Sequence, residues 1–574
     1  MNYIKKHLNI FLSLFLLFFC MFIYTWHLGD FPLMDYDESK SVLIARDLFT
    51  SHDWINLKLN GNNFYEYPPL LFWLINISFF VFGEISSFTA RIPNVILLLI
   101  GILTLFITIS KIMTKTYALI ISLILSTCFG MLVFGHLATN EILYTSLVMI
   151  SILCTYNIII EKSGKDNKRL WACVHLFNGL AILCGGLMGI IPILTIFIMH
   201  IFAGKLKTIF SIKNIWIFTG TMILIVLPWY ILMTKISGIH YIKEFVSSYN
   251  LFKYAGLKEY LYNIGLFIIG FMPWTFAFLW IIGTRFKDIA NSVISYIKDD
   301  SQDKLNEKWH KLSKTDKLLS LNTIVFFTTL IFAILYGAKY TYLILLLMFP
   351  ASCISGHYWY EYMFKKKHRK SIFFATIIPN IFFIICAIAL LLGHKAINEL
   401  SVYGVVLLVI PLVTIFFVIP LISIFTVIVK GKIPAFILNI VLMISLICTL
   451  MPSGYNFIAI NSGESDLIAF ARKAHEDKVQ LSAFIPSRKY SLEYYYENKI
   501  DFHNNNEYDW LKKHITENEK DYIVTEIKDL WSIEDREIKY MLLDSGKRYC
   551  IIKHLPKQEE EKLKQEEEPE VIIQ

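Results

Sequence analysis

Apolar residues along this 574-residue chain come in runs of about twenty, separated by short polar stretches that carry most of the lysines and arginines. A run of that length matches the hydrocarbon thickness of a bilayer, about 30 Å at about 1.5 Å per helical residue. The pattern predicts membrane-spanning helices near 8–28, 91–112, 117–136, 142–160, 171–185, 187–203, 215–235, 263–284, 319–337, 342–361, 371–392, 401–429 and 433–452. The run at 171–203 is too long for one helix and is broken at Gly185-Gly186, so it reads as two short helices meeting near one face. The segment 68–83 is apolar but short and opens with Pro68-Pro69, and it reads as an interfacial helix. The N-terminus has a basic start and about twenty apolar residues but no small-x-small cleavage site, so it reads as an uncleaved first span.

Beyond residue 452 the periodicity changes. GESDLIAFARKAHED reads as an amphipathic helix, VQLSAFIP, DYIVTEI and KRYCIIKH as strands, and EYDWLKKHI as a helix among them. The expected fold class is therefore a polytopic α-helical membrane protein of thirteen spans with a small α/β C-terminal domain. Residues 1–452 form the transmembrane domain, 453–556 the α/β domain, and 557–574 a charged, solvated tail.

Composition supports the membrane reading. Hydrophobic residues make up 56% of the chain and charged ones 17%, against about 25% charged in soluble proteins. That excludes a soluble enzyme, a disordered chain and a disulfide scaffold. The net charge of +8 suggests an anionic partner at first sight. Its basic residues, however, fall in alternate loops, as the positive-inside rule requires, so no nucleic-acid partner is expected. Thirteen spans satisfy the rule with the N-terminus cytoplasmic; twelve or fourteen do not. The first long loop and the C-terminal domain then lie outside the cytoplasm. Eight of the nine cysteines sit in apolar stretches and Cys550 stands alone, so no disulfide or metal spacing is present.

The first external loop, about 29–90, is dense with charges and aromatics. In DYDESKSVLIARDL, Val42, Leu43, Ile44, Leu48 and Phe49 give one broad apolar face, with Glu38, Lys40, Arg46 and Asp47 among the polar positions. This predicts a helix lying in the membrane interface, with Asp35, Asp37 and Glu38 at its start, where carboxylates also serve as ordinary capping groups.

The run YDES…ARDL…SHDWI…LNGNNFYEYPPLLFWL…FGEISSFTARIP resembles the first external loop of the polyprenyl-phosphate-sugar-dependent membrane glycosyltransferases of the GT-C class. That class includes protein O-mannosyltransferases and, more similar here, the bacterial lipid A aminoarabinose transferases of the ArnT type. The likeness extends more thinly to GLMGIIP (186–192), LPWY (227–230), GFMPW (270–274) and AKYTYLI (338–344). The resemblance implies a bacterial inner-membrane enzyme, acting as a monomer on the periplasmic side. Its donor would be an undecaprenyl-phosphate-linked sugar, its acceptor lipid A or a related envelope molecule, and transfer would proceed with inversion.

Carried over by position, Asp37 and Glu38 match the family's Asp-Glu pair, with Asp37 the principal catalytic carboxylate. Arg46 matches an arginine of the same helix, Lys40 stands where the family has Arg, and Glu66 matches the glutamate of its YFEKPP motif. Lys339 falls in the segment whose lysines face the donor phosphate. Two positions depart. Tyr67 replaces the lysine after that glutamate, and GHLATNEIL offers Asn140 and Glu141 where the family has a second aspartate. Either Glu141 takes over that role or Asn140 only hydrogen-bonds.

The chemistry asks for these residue types. Breaking the bond from the anomeric carbon to a phosphate oxygen passes through an oxocarbenium-like state, which a carboxylate stabilises, or the carboxylate acts as base toward the acceptor. The departing phosphate gathers negative charge that Arg and Lys offset. One such interaction is typically worth about 2.7–4 kcal/mol of barrier. Because Tyr67 cannot supply the cation that the family's lysine brings to the phosphate, Lys40, Arg91 and Lys339 are candidates to supply it instead. His136, beside Asn140, is a further acceptor-side candidate. The stretch 236–262, with Tyr249, reads as a lid or as an ordinary aromatic anchor. Glu66 with His240 is a candidate pair for a divalent cation; no other cofactor is expected. A protein O-glycosyltransferase shares this donor chemistry. A transporter would need ionisable groups or broken helices near mid-membrane, whereas the charges here gather at one external face.

Overall fold

The computed structural model describes residues 2–35, 37–160, 168–249, 256–284, 302–336, 341–365, 369–393, 409–429 and 432–556. The chain divides into two compact units. The first comprises Met1–Asp30, Leu48–Lys58 and Asn62–Met451; the second comprises Phe31–Asp47, Leu59–Gly61 and Pro452–Gln574. The α/β unit thus takes in two short pieces of the first loop as well as the C-terminal region.

In the first unit, nine helices among the described residues are long and apolar enough to cross a membrane, or ten if one bent pair counts as a span. The expected first span is present as the helix Asn2–Thr25, 24 residues long, and the other differences from the thirteen expected segments have identifiable reasons. Lys115–Ser126 is a shorter apolar helix. The two segments at 171–203 are one helical run, Lys168–Phe202, broken by a 3-10 turn at Gly186–Ile190 where Gly186 takes φ +56°. Glycine alone adopts that conformation without strain. The span expected at 263–284 is a bent pair, Leu257–Gly270 and Thr275–Thr284, meeting at 110°. Pro273 falls in the break, where its missing N–H cannot continue the helix. Thr275 Oγ1 donates to the freed carbonyl of Ile268 at 2.6 Å.

The helix Leu70–Phe82 has thirteen residues, about 20 Å, too short to span. It buries Leu71, Phe72, Ile75 and Phe79 and exposes Ile77, Phe80 and Val81, as an interfacial helix should. Polar pairs tie the spans inside the unit: Tyr156 donates to Asn322 (3.0 Å) and Ser151 to Asn178 (2.7 Å). Such bonds satisfy groups that lipid cannot.

The second unit is a five-stranded sheet with helices on both faces. Its strands are β3 (Leu481–Phe484), β4 (Asp501–His503), β5 (Tyr522–Glu526), β6 (Tyr540–Ser545) and β7 (Tyr549–His554), counted after the two-residue strands β1 (Lys58–Leu59) and β2 (Asn62–Asn63) of the first loop. The order is β4-β3-β5-β7-β6, with β3 parallel to both neighbours and β7 antiparallel to both of its own. Successive side chains alternate faces. Val524 and Ile551 therefore pack with Leu467, Phe470 and Leu492 on one side, while Ile523 and Ile552 pack with Leu511, Ile515 and Ile533 on the other. The helices expected at 463–477 and 507–515 are present as Glu464–Glu476 and Tyr508–Glu517, as are three expected strands. The expected tail, 557–574, lies outside the described residues.

Candidate active site

The helix Asp37–Ser51 carries four of the residues singled out in the sequence. Its first carboxylate, Asp37, is exposed, and the main-chain carbonyl of Asp37 accepts from Ser41 Oγ at 2.8 Å. The residues after it are enclosed: Glu38 is 2% exposed, Lys40 5%, and Ser39 through Ala45 are buried without interruption. The helix is therefore not an interfacial one with a wet polar face, as its pattern suggested. Where the helix is enclosed, from Glu38 to Ala45, its polar residues are buried too and need partners. Glu38 Oε2 accepts from the Met34 N–H (2.8 Å) and Ser39 Oγ donates to the Leu33 and Met34 carbonyls (3.3 and 3.2 Å), closing the chain reversal before the helix. Lys40 lies over the Tyr490 ring, 5.9 Å from its centroid. Arg46 donates through Nη1 to the Tyr494 carbonyl at 3.0 Å and covers that ring at 5.7 Å. Glu38 is thus a structural cap here, and Asp37 is the outward carboxylate of the pair.

In the first unit, Glu66 is exposed on the segment leading to Pro68-Pro69. Its neighbour Tyr65 donates to Ser237 Oγ at 3.0 Å and meets the rings of His240 and Tyr241 edge-on, 5.9 and 5.6 Å between centroids. The structure therefore brings the YEYPP segment to the helix Leu227–Ser248, which carries His240. Two tryptophans fix the preceding stretch. Trp229 of LPWY donates to the Ile55 carbonyl (3.0 Å), and Trp73 donates to that of Trp54 (2.7 Å). Among the described residues no group of three or more His, Cys, Asp or Glu side chains converges as metal ligands would. Glu66 and His240 alone fall short of the ligand number a divalent cation takes.

The turn 137–141 is set by Asn94, whose Nδ2 donates to the carbonyls of Leu137 (2.9 Å) and Thr139 (2.7 Å). Glu141 then sits in the first turn of the helix Asn140–Ile160, where a carboxylate is favoured, and accepts through Oε1 from Thr341 Oγ1 at 2.7 Å. Asn140 is 8% exposed and accepts through Oδ1 from the Cys184 thiol at 3.4 Å. It faces inward to the Gly185-Gly186 break. Tyr249 braces the same break: its hydroxyl donates to the Gly185 carbonyl at 3.2 Å, and a Cβ on Gly186 would stand 1.9 Å from that hydroxyl. Tyr249 is buried in an aromatic string with Phe245 and Tyr241, so it is a packing residue and not the surface of a lid. His136 is fully buried, its Nδ1 donating to the Leu132 carbonyl at 2.6 Å. Arg91 is likewise enclosed, 0% exposed, with Nη1 donating to the Leu28 carbonyl at 2.8 Å. It serves as a brace within the unit, and an enclosed guanidinium is poorly placed to meet a lipid phosphate. Lys339 lies outside the described residues.

Residues 66–231 match the family model for dolichyl-phosphate-mannose-protein mannosyltransferase. Among solved structures, ArnT from Cupriavidus metallidurans bound to undecaprenyl phosphate superposes with a TM-score of 0.70, covering 94% of this chain and 97% of that one at 14% identity. The chain has the fold of the ArnT-type GT-C glycosyltransferases. In sequence it is similar to the undecaprenyl phosphate-α-4-amino-4-deoxy-L-arabinose arabinosyl transferase 2 of Proteus mirabilis, 22% identical over 270 residues (46% of this chain, 48% of that protein). A similarly named transferase of Edwardsiella ictaluri is 22% identical over 249 residues, 42% of this chain and 44% of its own. The chain thus spans about half the length of the curated relatives it matches. Within the ArnT fold, sequence reasoning missed Asn94, the anchoring role of Asp35 and the helix at 490–496. An asparagine at the apolar start of a span was a readable signal for the first; the other two act through residues more than 400 positions away.

Proposed function

We propose that this protein is an integral-membrane glycosyltransferase that moves a sugar from undecaprenyl phosphate to lipid A or a related envelope acceptor on the periplasmic face. The observation that carries this reading is the exposed Asp37 carboxylate, standing at the head of a helix whose next eight residues are buried, in a chain with the ArnT fold. A carboxylate held on a rigid element is preorganised toward a developing positive charge. The anomeric C–O bond to the donor phosphate breaks, undecaprenyl phosphate leaves with the bonding electron pair, and the acceptor oxygen forms the new bond to the anomeric carbon. With a hydroxyl acceptor, Asp37 receives its proton. A phosphate acceptor is already ionised, and Asp37 then stabilises the sugar cation. Glu66 is the second exposed carboxylate of the matched motifs, and Lys339 is assigned toward the donor phosphate.

An apolar cavity of about 550 Å³ in the first unit, lined by Phe382, Phe383, Leu412, Phe416, Met443 and Leu446, suits an isoprenoid chain. A second reading, transfer to protein hydroxyls, is favoured by the family-model match over 66–231. Mass spectrometry of lipid A and of envelope glycoproteins from cells with and without the protein separates the two. A sugar-sized mass is expected to disappear from lipid A alone. Loss from glycoproteins alone selects the second reading, and no loss from either rejects both.

A further inference from the structure

We propose that the seven-residue helix Tyr490–Tyr496 is a splint that holds the segment carrying Asp37 in its reactive position, with Asp35 as the key positioning residue. The splint lies entirely within the second unit, and its role rests on Asp37 being the reacting carboxylate.

The segment 31–47 is a poor candidate for holding itself in place. It begins as irregular chain, with the Glu38 and Ser39 bonds to Leu33 and Met34 as local ties, and Asp37 stands at the junction with the helix. From the far end of the sequence, the helix Tyr490–Tyr496 grips it repeatedly. At the helix start, Asp35 Oδ1 accepts from the main-chain N–H groups of Tyr490 (2.9 Å) and Ser491 (3.4 Å), while Oδ2 pairs with Lys489 Nζ at 3.2 Å. These N–H groups have no partner inside a helix, so a carboxylate there satisfies them as a capping residue would. At the helix end, the Tyr494 carbonyl accepts from Arg46. On its side, the Tyr495 hydroxyl accepts from the Leu33 N–H at 3.1 Å. In its middle, Glu493, fully buried, accepts from Arg488 Nη2 and from Asn60 Nδ2, both at 2.6 Å; Asn60 lies outside 31–47, in the 59–61 piece of the same unit, so this bond anchors the splint itself.

The contacts bracket Asp37 in sequence: Leu33 and Asp35 before it, Arg46 after it. A carboxylate two residues from one anchor and nine from the other is fixed in both position and direction. The Asp35 carboxylate is itself 7% exposed and paired on both oxygens, so it is positioned to hold and not to react. Misplacing a reacting group by 1 Å costs about 100-fold in rate. The splint should therefore be visible in kcat and not in donor binding.

The test uses the full-length protein in liposomes with an undecaprenyl-phosphate-linked sugar, comparing Asp35→Ala, Asp35→Asn, Asn60→Gly and Asp37→Asn. Glycine suits the positive φ of 56° at Asn60 while removing its amide. The expected result is a fall in kcat of tenfold or more for Asp35→Ala and threefold or more for Asn60→Gly, with KM for the donor within twofold. Asp35→Asn, which keeps an oxygen for the two N–H groups, should recover kcat to within about threefold of wild type. Hydrogen exchange should rise in 31–47 and 490–496 in proportion. If Asp35→Ala does not accumulate, Asn60→Gly carries the same readouts. The proposal is overturned if Asp35→Ala and Asn60→Gly keep wild-type kcat while Asp37→Asn abolishes transfer, or if Asp35→Asn is as impaired as Asp35→Ala. Wild-type transfer by Asp37→Asn would instead overturn the functional reading on which the splint depends.

Discussion

Glu464, the first residue of the helix Glu464–Glu476, is buried beside the splint. Burial pushes its carboxyl up to about 7, with the Asp35 carboxylate pushing the same way and Lys489 opposing. A carboxyl whose folded value is raised contributes stability that is complete below its unfolded value, near 4.5, and is lost as pH rises through 7. Glu464→Gln keeps a neutral group at every pH. Thermal unfolding of the full-length protein should show this variant equal to wild type near pH 5 and more stable near pH 8.5, by on the order of 5 °C; equal melting at both would contradict the assignment. At this scale the sequence was legible where chemistry is contiguous. Asp37-Glu38 and Glu66 stood out because motif and charge lie together in the chain. What it could not divide was the pair itself: Glu38 is a cap and Asp37 is exposed, a distinction made by the Met34 N–H and by packing. Asp35 read only as one more acid in an acidic run, because its partners lie 455 and 456 positions away.

Elements were legible to the degree that one face dominates. Leu70–Phe82 and the helices at 464–476 and 508–517 follow their apolar spacing. β4 and β6 escaped because they are the edges of the sheet, short or largely exposed, so alternation there is weak. The helix Asp37–Ser51 misled in the other direction: its polar positions looked wet, yet partners drawn from distant segments allow them to be buried. The bend at 271–274 needed the consequence of Pro273 to be weighed above the hydropathy of its surroundings. The helices that line the apolar cavity supply another prediction. Ala389 faces that cavity, and Ala389→Trp fills part of it. KM for a long-chain polyprenyl donor should rise about tenfold with kcat held within threefold, while a short-chain donor should be affected less. An unchanged KM would show that the cavity does not hold the lipid.

For the whole molecule, the distribution of charge is decisive. Basic residues of the +8 chain are spread through short stretches between apolar runs. The carboxylates assigned to transfer stand apart, in a loop of which 31–47 and 59–61 group with the C-terminal unit even though they lie more than 390 residues earlier in sequence. A boundary near 452 was readable from the change in periodicity; the membership of 31–47 and 59–61 was not, since it depends on contacts that close only when the chain folds. The most direct test of the proposed transfer is the release of undecaprenyl phosphate from an undecaprenyl-phosphate-linked aminoarabinose donor by the purified protein in liposomes containing lipid A. Wild type should release it only when the acceptor is present, and Asp37→Asn should lose at least about 100-fold at equal protein level and melting temperature. Release by Asp37→Asn at the wild-type rate would contradict the role assigned to that carboxylate.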